Sequence, residues 1–108
     1  MPFKLAQVRK VKWPVDVQIP QDGGKVQKVR FTAELEILSN EEYETVLAEG
    51  DVLARVLTGW EGVQTEEGEV IEFSEEERKK LCAIPYVRLA LMQAYVQASA
   101  GREAARKN

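Results

Sequence analysis

Two runs decide the fold: Val11-Lys12-Trp13-Pro14-Val15-Asp16-Val17-Gln18-Ile19 and, after a short gap, Val29-Arg30-Phe31-Thr32-Ala33-Glu34-Leu35-Glu36-Ile37. In each, the odd positions are apolar and the even positions mostly polar. A period of two is that of a strand with one buried face. Between them Gln21-Asp22-Gly23-Gly24 supplies residues that tolerate a positive φ, so a long antiparallel hairpin is expected. Pro14 cannot donate to a ladder, which assigns the first strand to a sheet edge or gives it a bulge. Upstream, Phe3, Leu5 and Val8 either begin that strand or form a short separate one.

Beyond the hairpin the period changes. Ser39-Asn40-Glu41-Glu42 has the form of a capping box, and Tyr43, Val46 and Leu47 share one face of the helix it starts. Gly50 ends that helix, and Asp51 caps a second with the stripe Val52, Leu53, Val56, Leu57 and a break at Gly59. Residues 60–73 read as a loop with a short extended piece. Ser74-Glu75-Glu76-Glu77 is a second capping box, followed by Arg78, Lys79 and Lys80 and a helix to about Ala83. Pro85 opens the last helix, which runs to about residue 100 and is strongly apolar. Val87, Leu91, Ala94 and Ala98 form one stripe, and Leu89, Met92 and Val96 another. A narrow arc at Gln93 and Gln97 is polar, so the helix is either central to the core or partly covered by a second chain. The basic tail 101–108 is expected to fray. The whole is an α+β fold in a single domain: a hairpin over 1–38, about four short helices over 39–100, and the tail.

Composition narrows the chemistry. The 108 residues contain no histidine and one cysteine, Cys82, which excludes an intrachain disulfide, a Cys/His zinc site and the histidine-dependent nucleophile systems. No enzyme, cofactor or metal is expected. Met1 to Lys10 has no uninterrupted apolar segment and no run approaches membrane-spanning length, so a cytoplasmic setting is expected. The net charge of −3 is strongly segmented. Residues 1–38 carry seven basic and four acidic side chains, 39–77 one and thirteen, and 78–108 seven and one. Such blocks either pair within one fold or present opposite faces to partners.

The acidic stretch Glu66, Glu67, Glu69, Glu72, Glu75, Glu76, Glu77 lacks the alternating ligand offsets of a calcium loop and reads as a solvated surface. Glycines 59, 62 and 68 are too dispersed to cradle a phosphate. Lys12, Lys28 and Arg30 on the hairpin suggest nucleic acid, but Glu34 and Glu36 on the same face and the net acidity oppose it. Cys82 in apolar surroundings reads as a structural thiol. Trp60 either closes the core over the helices or serves as a contact hot spot.

From residue 56 onward the order of elements is Val56-Leu57-Thr58-Gly59-Trp60-Glu61-Gly62-Val63, an acidic turn through Gly68 into Ile71-Glu72-Phe73-Ser74, then Leu81-Cys82-Ala83-Ile84-Pro85-Tyr86-Val87-Arg88 and Ala90-Leu91-Met92-Gln93-Ala94-Tyr95. This half of the chain resembles the tail assembly chaperones of long-tailed bacteriophages and prophages, with a G-W-x-G-V segment, an acidic turn with glycine, an F-S helix start and a proline-led helix ending in A-Y. The resemblance implies a non-enzymatic protein of the host bacterial cytoplasm. It implies binding of the tape measure protein, and of the tail tube protein as a further partner, with no place in the mature virion. It also allows a longer frameshifted product. The residues that would meet a partner are Trp60, Tyr86, Arg88, Met92, Tyr95, Arg102, Arg106 and Lys107, and a homo-oligomer through the last helix is the competing use of the same surface. The alternatives are a structural tail connector or completion protein and a small nucleic-acid-binding regulator.

Overall fold

A computed structural model describes residues 2–3 and 9–103. The chain is α+β, with β1 (Lys10–Gln21), a short 3-10 turn (Asp22–Gly24), β2 (Lys25–Glu36), α1 (Asn40–Glu49), α2 (Val52–Val56), β3 (Leu57–Glu61), α3 (Glu75–Cys82) and α4 (Pro85–Ser99). The three strands form one antiparallel sheet in the order β1-β2-β3.

The hairpin keeps one register over all twelve rungs, from Lys10 opposite Glu36 to Gln21 opposite Lys25. Gly23 and Gly24 close it at φ 81° and 79°, a region that side chains with a Cβ avoid. On the same register Arg9 faces Ile37, whose N–H donates to the Arg9 carbonyl at 2.7 Å. Odd residues of β1 therefore bond to β2, and even residues turn their N–H and C=O to the open edge. Pro14 and Pro20 both fall on even positions, so the edge expected from Pro14 is observed without a bulge. Each proline also removes a donor that another chain would need for pairing.

The odd face is the core. Val15, Val17, Phe31, Ala33 and Leu35 are buried, each large one contributing roughly 1.5–3 kcal/mol by leaving water. They meet Leu53, Val56 and Leu57 from the α2–β3 segment and Val87, Leu91 and Ala94 from α4. α4 lies along β1, where Trp13 Nε1 donates to Gln97 Oε1 at 3.3 Å.

Local signals account for the helix ends. Ser39 and Glu42 make both halves of the capping box. Gly50 ends α1 at φ 147°, and the Asp51 carboxylate accepts from the Leu53 N–H at 3.0 Å. Ser74 accepts from the Glu77 N–H at 3.1 Å, but Glu77 turns to Lys80 Nζ at 3.3 Å, so the second box is made only on the serine side. Pro85 occupies the first turn of α4. After α4, the Arg102 N–H reaches Gln97 O and the Gly101 N–H reaches Ala98 O, a Schellman stop with Gly101 at φ 71°.

Three expectations are corrected or cut short. The second helix ends at Val56, and Leu57–Glu61 is a strand, so Gly59 lies within a ladder and does not break a helix. The even positions Thr32 and Glu34 turn their backbone groups away from β1, and pairing with β3 satisfies them where a loop would leave them bare. Leu57 is buried as expected, opposite Leu35 after a bulge. Leu47 is exposed, because only Tyr43 and Val46 of its face reach the core. Phe3 is exposed, and Leu5 and Val8 lie outside the described residues.

Residues 20–30 are exposed throughout. The hairpin tip thus projects from the body, and the radius of gyration, 15.0 Å, exceeds the roughly 13 Å of a compact chain of about this length.

Candidate functional site

α4 carries two apolar stripes on nearly opposite sides. Val87, Ala90, Leu91, Ala94 and Tyr95 are buried. Leu89 is 60% and Val96 53% exposed, with half-buried Met92 between them. Pro85, Leu89, Met92 and Val96 follow one another at intervals of four, three and four, the spacing of a narrow helix-packing seam. At 1.5 Å per residue it is about 16 Å long. α4 has no acidic residue, and its one charge, Arg88, lies beside the seam.

The residues expected to meet a partner divide sharply. Tyr95 is 3% exposed, its hydroxyl accepts from the Leu38 N–H at 3.3 Å, and its ring stacks on Tyr43 at 5.9 Å. It is therefore core, with no surface to offer in this fold. Burial holds its phenol above the usual tyrosine range. Arg88 reaches Asp51 Oδ1 at 2.8 Å and Oδ2 at 3.3 Å. That hydrogen-bonded pairing lowers the Asp51 carboxyl below the ordinary aspartate range and joins α4 to the start of α2. Tyr86 and Met92 are half-buried against the core. Arg102 is exposed, and Arg106 and Lys107 lie outside the described residues. Leu89 and Val96 were legible as a second stripe, and they, more than the aromatic or charged residues, hold the open apolar surface.

Trp60 sits apart from α4's outer face. Its Nε1 donates to the Ile71 carbonyl at 2.8 Å and its ring meets Phe73 edge-on at 4.9 Å. It is half-buried and fastens the 63–73 segment to β3. That segment is a small hairpin, with Gln64 bridged to Val70 and Gly68 turning at φ 89°. Beside Trp60 lies a cleft bordered by Lys12, Glu34, Gly59, Glu61 and Phe73. Lys12 Nζ stands 2.9 Å from Glu61 Oε1, and that hydrogen bond, with the negative charges of Glu61 and, more weakly, Glu34, raises the lysine above its ordinary range.

Cys82 is buried and desolvation raises its thiol, so little thiolate forms. Among the described residues no three of the aspartates, glutamates and Cys82 gather as ligands would, and no helix is long and apolar enough to cross a membrane.

No family model, curated protein or solved structure matches the chain.

Proposed function

We propose that this protein is a non-enzymatic assembly chaperone of a long-tailed phage or prophage. It binds the tape measure protein, with the tail tube protein as a further partner, in the host cytoplasm and is left out of the finished virion. The observation that carries the reading is the outer stripe of α4: Leu89 and Val96 stay open on a helix whose other side is fully packed. The resemblance of residues 56–108 to tail assembly chaperones supports it independently. A long helical client presents apolar stripes until it is enclosed, and a seam of this spacing packs helix against helix. The contact is small, which suits a partner that must later be released.

The test is co-expression with a candidate tape measure protein. The wild type is expected to keep that protein soluble, Leu89→Asp and Val96→Asp to lose it to the pellet while remaining folded, and purified particles to lack the chain. Retention in particles at fixed stoichiometry would identify a structural tail component instead. Salt-sensitive retention on DNA would identify a nucleic-acid-binding regulator. Sedimentation of the wild type alone, compared with Leu89→Asp, separates client binding from a homo-oligomer through α4.

A further inference from the structure

Gly59 is unusual among the chain's glycines. Gly62, three residues on, is held at φ 86°, which explains its identity. Gly59 has no positive φ, and a Cβ built on it would meet nothing nearer than Glu34 Cβ at 3.5 Å, an ordinary contact. Neither backbone nor packing requires glycine there, and a glycine within a strand weakens it. What the missing side chain does is leave the floor of the cleft beside Trp60 open.

That cleft has a volume of about 220 Å³, room for one long side chain and a few waters. Its charged groups are the carboxylates of Glu34 and Glu61 and the ammonium of Lys12. Lys12 is engaged by Glu61. Glu34 is held in place by the Thr58 hydroxyl, which donates to Oε1 at 2.8 Å, and its second oxygen remains available to a donor. The remaining charge is negative, and the cleft is bordered by Trp60 and Phe73.

We propose that this cleft receives an arginine side chain of a protein partner, its stem lying over Gly59 and its guanidinium on Glu34. Guanidinium suits the site better than ammonium because it is planar, gives several donors in one plane and tolerates aromatic neighbours. The site is separate from the outer stripe of α4 and does not depend on the chaperone reading.

The experiment is an amide and indole NMR titration of the full chain with a blocked glycyl-arginyl-glycine tripeptide, its citrulline counterpart and its glutamate counterpart. The expected result is a saturable shift of the Trp60 indole N–H and the Gly59 amide with the arginine peptide, weakened about tenfold or more for citrulline, which loses the charge-assisted hydrogen bonds. Gly59→Val, which fills the floor in a conformation valine favours, and Glu34→Gln are each expected to weaken binding by a similar factor. Glu49→Gln on α1 is expected to leave it unchanged. Should Glu34→Gln fail to fold, Gly59→Val decides alone. The proposal is overturned by the absence of a saturable shift, by equal binding of the citrulline peptide, by preference for the glutamate peptide, or by full binding to folded Gly59→Val.

Discussion

The two halves of the hairpin share one pattern and differ in fate. From Val11 to Val17 and from Phe31 to Ile37 the odd positions pack against α2, β3 and α4, whereas from Gln18 to Arg30 the strands run on with little over them. Val15 and Leu35 are fully buried, while Val26 near the tip is 46% exposed. Alternation therefore reports which way side chains point, and whether anything covers them depends on how far the helices and third strand reach. β3 pairs only with Thr32 through Leu35, so the distal half is a bare two-stranded ribbon. Such ribbons are marginal alone. Rigidity there comes from the covered half, and the tip is free to serve as an arm.

The largest effect that tests this division is the loss of a covered side chain. Phe31→Ala is expected to cost roughly 3 to 5 kcal/mol in urea denaturation, and Val26→Ala less than about 0.5 kcal/mol. Comparable costs would mean that the tip is packed as firmly as the base. Next comes Tyr95→Phe, which leaves the buried Leu38 N–H at the hairpin's base without its acceptor. A loss of about 1 to 3 kcal/mol is expected, and an unchanged midpoint would show that water replaces the phenol.

A smaller effect separates charge from capping at the α2 start. Asp51 both caps α2 and pairs with Arg88, and Asp51→Asn keeps a capping oxygen while removing the charge. The pairing lowers the folded-state carboxyl relative to the unfolded chain. Its contribution is therefore present above the unfolded aspartate range, near pH 4, and is lost as the pH falls through the lower folded value. The pair is exposed and worth under about 1 kcal/mol. The wild-type advantage over Asp51→Asn is expected at pH 7 and should vanish in strong acid. A constant gap across that range would assign the effect to capping.

How much of this was legible follows from the same physics. The hairpin, its turn, both serine caps, Gly50, Asp51 and Pro85 are local decisions, and each is written in neighbouring residues. β3 was not legible, because Leu57 continues the apolar spacing of Val52, Leu53 and Val56, and what makes it a strand is the unsatisfied edge of β2, distant in sequence. Tyr95 was misplaced for a related reason: only the tertiary fold brings Tyr43 and the Leu38 N–H to it. The second stripe of α4 was visible, but its exposure was not. The cleft beside Gly59 needed Glu34 and Gly59 opposite one another, a register no spacing discloses.

The smallest expected effect is at the turn. Gly23→Ala places a Cβ at φ 81°, a conformation that costs an L residue roughly 1 to 2 kcal/mol. In a cooperative hairpin that cost would appear in full in global stability. Where the tip opens on its own, the penalty cannot exceed the free energy of opening it, because the variant escapes the strain by opening. A global shift below about 1 kcal/mol is therefore expected, with the damage confined to the tip. Ile19 and Gln27 face each other on a rung of the bonded parity, while Val15 and Phe31 do so at the covered base. In hydrogen exchange, the amides of Ile19 and Gln27 are expected to lose protection in Gly23→Ala while those of Val15 and Phe31 keep theirs. Equal losses at both rungs would make the hairpin one cooperative unit and end the distinction between arm and base.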